Sequence, residues 1–372
     1  MRHFLFFLLV VLFVPVSVFA QDLDIYEKAE QMIILGFRGN TLETSDVSSV
    51  LSTGNWGGVI LFDYDTPTKT YGRNISSHID LKKFITSIQS RARTPLFISL
   101  DEEGGKVSRL KSFPLFKSTY SALDVGRFSN TTIKDISLWR AKQINQFGFN
   151  MNFAPVIDIC YTNTVMVAQK RCFHANDTKV INSANIMARA FETYKIIPVY
   201  KHYPGIGTGT KDTHNGFVDI TKTHTKKDEE IFSRACASAV YPVVMVSHIV
   251  DTDVDTVPAS LSKNHIANLR KAHCKDALVV SDDMDMKAIT DTYTLSDVLE
   301  KSISSGVDMI IFSNNMGTYQ TTKPQQIKQT LKTLIDSGKI LPEQIESSYA
   351  KIIRYKKAFG ICKAGGEIDF CS

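Results

Sequence analysis

Five apolar runs of this 372-residue chain end abruptly in charged or imidazole side chains. "LFISLD" ends in Asp101 and "FNMNFAPVID" in Asp158. "IPVYKH" ends in Lys201 and His202, "VVMVSHI" carries His248, and "ALVVSD" ends in Asp282. Polar turns after strands account for one or two such endings, not for five. A set of carboxylates, histidines and cations suits glycoside cleavage: one group attacks or stabilises the anomeric carbon and another protonates the leaving oxygen.

Two stretches supply the candidates for those roles. In "VVSDDMDM", strand alternation lets only one of Asp282 and Asp283 face the site. Asp282 directly ends the apolar run and is the candidate nucleophile. Asp283 and Asp285 read as solvated loop acids. In "KHYPGIGTGTKDTH" (201–214), Asp212 and His214 lie two residues apart in a glycine-rich loop. An aspartate bonded to one ring nitrogen fixes the tautomer and raises the imidazole pKa, leaving the other nitrogen to exchange a proton near neutral pH.

The elements that must position these residues are legible as eight apolar runs: Gln31–Phe37, Gly57–Phe62, Leu96–Asp101, Phe149–Asp158, Ile197–His202, Val243–Ile249, Ala277–Asp282 and Val307–Ser313. Helical periodicity separates them. Leu81, Phe84, Ile85 and Ile88 follow i, i+3, i+4, i+7, Leu295, Val298 and Leu299 repeat the pattern, and Leu341–Gly360 reads as a closing helix. Near-continuous apolar strands alternating with helices indicate parallel strands buried on both faces. Eight such units predict an α/β fold, a single-domain (β/α)8 TIM barrel over residues 21–372, whose strand ends share one face. A doubly wound open sheet is the alternative, weakened by the lack of G-x-G-x-x-G after the first strand.

Residues 1–20 read as a secretory signal peptide: basic Arg2, an apolar run from Phe4 to Val14, and small residues before a cut near Ala20. No later stretch is long and apolar enough for a span. The net charge of +5 is spread along the chain rather than clustered, so no nucleic-acid partner is indicated. No G-x-S-x-G elbow, P-loop, H-E-x-x-H or C-x-x-C occurs, and neither a metal nor a cofactor is expected. "DTDVDT" (251–256) lacks the glycine and terminal glutamate of a calcium loop and reads as solvated. Asn74, Asn130 and Asn176 begin N-x-S/T sequons. Six cysteines in an exported chain permit disulfides. Proximity favours Cys160–Cys172 and Cys362–Cys371, leaving Cys236–Cys274, with free buried thiols as the alternative.

Taken in order, "QMIILGFRG", "GGVILF", "DEEGGKVSRL", "FNMNFAPVIDI", "KHYPGIG…DTH", "VVMVSHI", "VPASLS", "VVSDDMDM" and "SGVDMIIF" resemble glycoside hydrolase family 3, in its bacterial β-N-acetylglucosaminidase (β-N-acetylhexosaminidase) branch. The resemblance spans nearly all of the mature chain. It implies a retaining double displacement through a glycosyl-enzyme on Asp282, with His214 as acid/base oriented by Asp212. It also implies that Asp101, Arg109, Arg171, Lys201 and His202 hold the terminal sugar by charge-assisted hydrogen bonds. Four positions depart from the pattern: Ile206 stands where a second histidine is usual, Tyr203 replaces a phenylalanine, and Cys172 and His174 replace smaller residues. A Cys160–Cys172 bridge would tie two loops at the barrel mouth.

The implied protein is exported to the periplasm or beyond and acts as a monomer with no membrane anchor. It removes N-acetylglucosamine from cell-wall fragments or chitin oligosaccharides. Three alternatives stand beside this. A family 3 β-glucosidase usually takes its acid/base carboxylate from a second domain, for which this sequence offers no stretch. A phosphorylase would use phosphate as acceptor. A non-catalytic sugar-binding barrel would need the nucleophile or dyad to be lost.

Overall fold

The structure, a computed structural model, describes residues 23–116, 119–207, 216 and 218–362. The segment read as a signal peptide, the Asp212–His214 pair and Cys371 therefore lie outside the described residues.

Nine short parallel strands make the sheet: β1 (Ile33–Gly36), β2 (Gly58–Ile60), β3 (Phe97–Leu100), β4 (Met151–Asn152), β5 (Ile197–Pro198), β6 (Tyr200–Tyr203), β7 (Val243–Val246), β8 (Leu278–Asp283) and β9 (Met309–Phe312). The spatial order is β6-β7-β8-β9-β1-β2-β3-β4-β5. Only Val199 separates β5 from β6, and its N–H donates to the carbonyls of Asn152 and Ala154. β5 and β6 thus act as one stave, and the ring is an eight-stave barrel. Each expected apolar run coincides with its strand, though β6 and β8 each extend one residue past it, to Tyr203 and Asp283.

Helices alternate with the strands: α1 (Val47–Thr53), α2 (His78–Arg91), α3 (Asn130–Phe147), α4 (Asp177–Thr193), α5 (Lys226–Ser238), α6 (Lys263–Lys271), α7 (Leu295–Ser305) and α8 (Lys323–Asp336). α9 (Pro342–Ala358) closes the fold. Leu81, Phe84, Ile85 and Ile88 form the buried face of α2, and Val298 and Leu299 belong to that of α7. The strands are apolar on both sides because one face fills the barrel and the other meets these helices. Register follows from that packing: Ile34 lies opposite both Ile311 and Gly58, and Val59 opposite Ile98. Gly36 has no room for a side chain, since a Cβ there would sit 1.8 Å from the Ser313 carbonyl oxygen.

Disulfides join Cys160 to Cys172 and Cys236 to Cys274. The first ties the segment after β4 to the one before α4, and the second links α5 to the turn before β8. No helix among the described residues is long and apolar enough to cross a membrane. Asn74 of the first sequon is buried, with its side chain bonded to the carbonyls of Phe37 and Gly39. The solvated reading of "DTDVDT" needs correction at Asp251, which is buried 3.3 Å from His224 Nδ1.

Candidate active site

The C-terminal strand ends surround a cavity of about 390 Å³, lined by Asp101, Glu103, Arg109, Arg171, Lys201, His202, Asp282 and Asp283 together with apolar walls from Phe62, Phe153, Met245 and Met286. Six of the eight residues expected to act are therefore brought to one pocket. The other two, Asp212 and His214, lie outside the described residues.

Construction starts at the end of β3. Asp101 accepts Lys201 Nζ at 2.9 Å and Arg109 Nη2 at 3.2 Å. Burial pushes the Asp101 carboxyl up, but Lys201 and Arg109 outweigh it and hold the group well below the usual carboxylate range. Glu103 lies two residues on and therefore faces the same way. It takes Arg171 in a bidentate pair, Nε and Nη2 both at 2.8 Å, and Lys201 Nζ at 2.7 Å. Burial again opposes, and Arg171 and Lys201 again win, drawing Glu103 down to about 2. Two carboxylates and three cations thus form one continuous network, in which Lys201 is the shared member.

The backbone around Glu103 is fixed by what "EEGG" permits. Gly104 has φ +91°, and a Cβ there would sit 2.3 Å from Arg140 Nη2. The lack of a side chain there leaves room for buried Arg140 to donate to the carbonyls of Glu103 and Tyr120 at 2.9 and 3.0 Å. Asn152 of β4 clamps the same turn, accepting from Glu102 N–H and donating to its carbonyl.

β6 supplies Lys201 and His202, joined by a cis peptide bond, and both side chains line the cavity. His202 Nδ1 lies 2.7 Å from Asp158 Oδ2, and Arg171 Nη2 lies 3.2 Å from His202 Nε2. Since arginine only donates, Nε2 is the acceptor and Nδ1 carries the proton. Asp158 Oδ1 accepts the N–H of Ile206 at 2.9 Å. Ile206 itself packs with Val156, Met166 and the Cys160–Cys172 bridge in a small apolar cluster. The position that departs from the family pattern is thus an apolar anchor at the start of the loop.

β8 supplies Asp282, whose Oδ1 accepts the N–H of Asp283 at 2.8 Å. Asp283 is not a solvated acid. It lines the cavity, accepts Ser313 N–H at 2.9 Å and bonds the Ser313 hydroxyl. Burial, with the neighbouring Asp285 charge, pushes its carboxyl up to about 7. Asp285 is not solvated either: it is buried, pairs with Lys323 Nζ at 2.7 Å and accepts Asn314 N–H. Both corrections share a cause, since the chain after β8 folds back across β9 instead of leaving the surface. His248 stays behind the site, bonded to Ser260 Oγ and to the Asp283 carbonyl. Among the described residues, no cluster of three or more metal-ligating side chains occurs.

Comparison with known proteins fits this architecture. The family model described as "Glycosyl hydrolase family 3 N terminal domain" matches residues 24–355. The chain belongs to this family. It is a glycoside hydrolase by that membership. It is 26% identical to Beta-hexosaminidase LpqI of Mycobacterium tuberculosis over 343 residues, covering 89% of this chain and 82% of the relative. It is 25% identical to a Beta-hexosaminidase of Haemophilus influenzae over 293 residues, covering 76% of this chain and 79% of the relative. Among solved structures, a glycoside hydrolase family 3 beta-N-acetylglucosaminidase from Paenibacillus superposes with a TM-score of 0.80 at 25% identity, covering 92% of this chain and 64% of the other. M. tuberculosis LpqI superposes with a TM-score of 0.76 at 24% identity, covering 90% and 94%.

Sequence reasoning gives no role to three acids that hold the residues of this pocket. Glu103 was readable from its two-residue spacing to Asp101. Asp158 was visible as a strand end but had no partner until the fold set it against His202. Asp63, buried between Arg109 at 3.7 Å and Lys111 at 3.5 Å, follows the second strand without any local signal.

Proposed function

We propose that the chain is an exported exo-β-N-acetylglucosaminidase that removes a terminal β-linked N-acetylglucosamine by double displacement. The observation that carries the reading is Asp282, at the end of β8, in the same cavity as the Asp101–Lys201–Glu103–Arg171 network. A sugar seated on that network would present its anomeric carbon to Asp282. The names of the relatives support the N-acetylglucosamine preference.

In this reading Asp282 attacks the anomeric carbon and forms a glycosyl-enzyme. His214, oriented by Asp212, protonates the leaving oxygen and then deprotonates water for the second displacement. Asp101, Arg109, Arg171, Lys201 and His202 hold the sugar hydroxyls. Their charges are already paired with one another, so the donors and acceptors are fixed before substrate arrives and little reorganisation is needed. The natural substrate is a peptidoglycan fragment, and the protein works outside the cytoplasm after cleavage near Ala20. Two disulfides fit that compartment.

The test is hydrolysis of 4-nitrophenyl N-acetyl-β-glucosaminide against the β-glucoside by the mature chain. Asp282→Asn and His214→Ala accompany it. Activity of both variants equal to wild type would overturn the assignment, and preference for the glucoside would overturn the specificity. Sugar-1-phosphate formed in phosphate buffer would make the enzyme a phosphorylase.

A further inference from the structure

A hairpin, Tyr64–Asp65 paired with Thr70–Tyr71, stands at the mouth of the cavity. Its base is locked. Asp65 accepts Arg38 at 2.7 and 3.0 Å, Arg73 at 2.9 Å and the Thr68 hydroxyl at 2.9 Å. Arg73 is buried and donates to the Asn314 carbonyl at 2.8 Å. Asn315 joins the hairpin to the cavity wall by accepting Thr66 N–H and donating to the Tyr64 carbonyl, both at 3.0 Å.

This rigid support carries two aromatic rings directly opposite each other. Tyr64 lines the cavity. Tyr71 sits edge-on to it at 5.0 Å between ring centroids and is 68% exposed. So exposed a ring adds little to folding, since the hydrophobic contribution scales with area removed from water. Lys111 Nζ lies 5.7 Å from the centre of the Tyr71 ring. The same amine is 3.5 Å from Asp63, whose other oxygen faces Arg109 of the cavity. Tyr71 and Lys111 are therefore coupled to the pocket wall through Tyr64 and through Asp63. A solvent-exposed aromatic ring with an ammonium poised over it, one ring beyond a sugar pocket, matches a pyranose: its C–H face is apolar and its edge carries oxygens.

We propose that Tyr71 and Lys111 bind the sugar on the leaving side of the scissile bond. The second pyranose stacks on Tyr71, and Lys111 donates to oxygens at its edge. This rests on reading the cavity as the terminal-sugar site of a β-N-acetylglucosaminidase. The substrate class is then a β-linked di- or oligosaccharide rather than a glycoside with a small leaving group.

The experiment compares wild type with Tyr71→Ala, Tyr71→Phe and Lys111→Met. It reads kcat/KM on the chitin disaccharide and the inhibition constant of free N-acetylglucosamine, which fills the inner site alone. Loss of one stacked ring lowers kcat/KM of Tyr71→Ala on the disaccharide about tenfold. Tyr71→Phe keeps the ring and stays near wild type, Lys111→Met falls several-fold, and inhibition by N-acetylglucosamine is unchanged in all three. An unchanged kcat/KM in Tyr71→Ala, or equal weakening of the disaccharide and the free sugar, would overturn the proposal. So would a wild type that cleaves the 4-nitrophenyl glycoside but not the disaccharide. A wild type inactive on both would overturn the reading of the cavity, and this one with it.

Discussion

Asp158 holds His202 by one carboxylate oxygen, at 2.7 Å from Nδ1, while its other oxygen accepts the backbone N–H of Ile206 at 2.9 Å. The arrangement leaves His202 Nε2 as an acceptor facing Arg171. An amide in place of the carboxylate offers one oxygen and one NH2 group and cannot accept from both neighbours. If it donates to Nδ1, the imidazole proton moves to Nε2, against the Arg171 guanidinium. Asp158→Asn is therefore expected to lose about 1.5–3 kcal/mol of transition-state stabilisation, the usual worth of a charge-assisted hydrogen bond. Steady-state kcat/KM checks it, with circular dichroism confirming the fold. A variant within twofold of wild type would refute the positioning role.

Lys201 is the shared cation of Asp101 and Glu103, and its side chain is almost fully buried. Removing it leaves buried Glu103 with Arg171 alone and Asp101 with Arg109 alone, without the cation they share. Lys201→Met is expected to destabilise the fold by roughly 3–5 kcal/mol, as breaking a buried pair does, besides abolishing sugar binding. Measurement of urea midpoints at pH 7 for wild type and variant decides this.

Glu103 sets an acid limit on stability through the same network. Its carboxyl is lowered in the folded state from 4.5 to about 2. A depressed acid contributes stability that is present above the unfolded pKa and is lost as pH falls through the folded one. The contribution should therefore fade between about pH 4.5 and pH 2. Glu103→Gln removes this titration. Urea midpoints at pH 5, 4 and 3 should fall less steeply in the variant than in wild type, although the variant starts lower because Arg171 and Lys201 lose a buried partner.

Much of this was legible before the fold was known, for a physical reason. A strand buried on both faces must be apolar throughout, so a charge at its end stands out, and Asp101, Lys201, His202 and Asp282 announced themselves. Asp283 and Asp285 did not, because their burial depends on β9 passing over them: Ser313 and Asn314 come about thirty residues later. Arg109 and Arg171 lie in loops without period, and only the resemblance of their motifs pointed to them. The partners of each cation likewise required three dimensions, since Glu103 meets Arg171 across 68 residues of sequence.

The two described disulfides should separate stability from activity. Loop-closure entropy assigns about 3 kcal/mol to Cys160–Cys172, whose sequence separation is 12, and about 4 kcal/mol to Cys236–Cys274, whose separation is 38. Only the first adjoins the site: Arg171 precedes Cys172, and Ile206 packs on the bridge. Paired Cys→Ala variants are expected to show the larger stability loss for Cys236–Cys274 and the larger loss of kcat/KM for Cys160–Cys172. Thermal melts and kinetics on the same samples provide both numbers, and a reversed order of the kinetic effects would contradict the assignment.

Lys356 on α9 lies at the opposite end of the barrel from the cavity, fully buried, with its amine 2.7 Å from Gln31 Oε1 and 5.0 Å from the centre of the Phe97 ring. Among the described residues no carboxylate pairs with it, and burial lowers its pKa from 10.5 to about 7. Below pH 7 both folded and unfolded chains carry the proton. Between about pH 7 and 10.5 the unfolded chain binds more protons than the folded one, so this residue makes stability rise with pH. That sign is opposite to the one expected from a lysine in an ion pair. Lys356→Met keeps the length and removes the titration, so the rise in urea midpoint from pH 7 to pH 9 should be smaller in the variant than in wild type. An identical rise in both would mean that the folded-state amine titrates as it does in water.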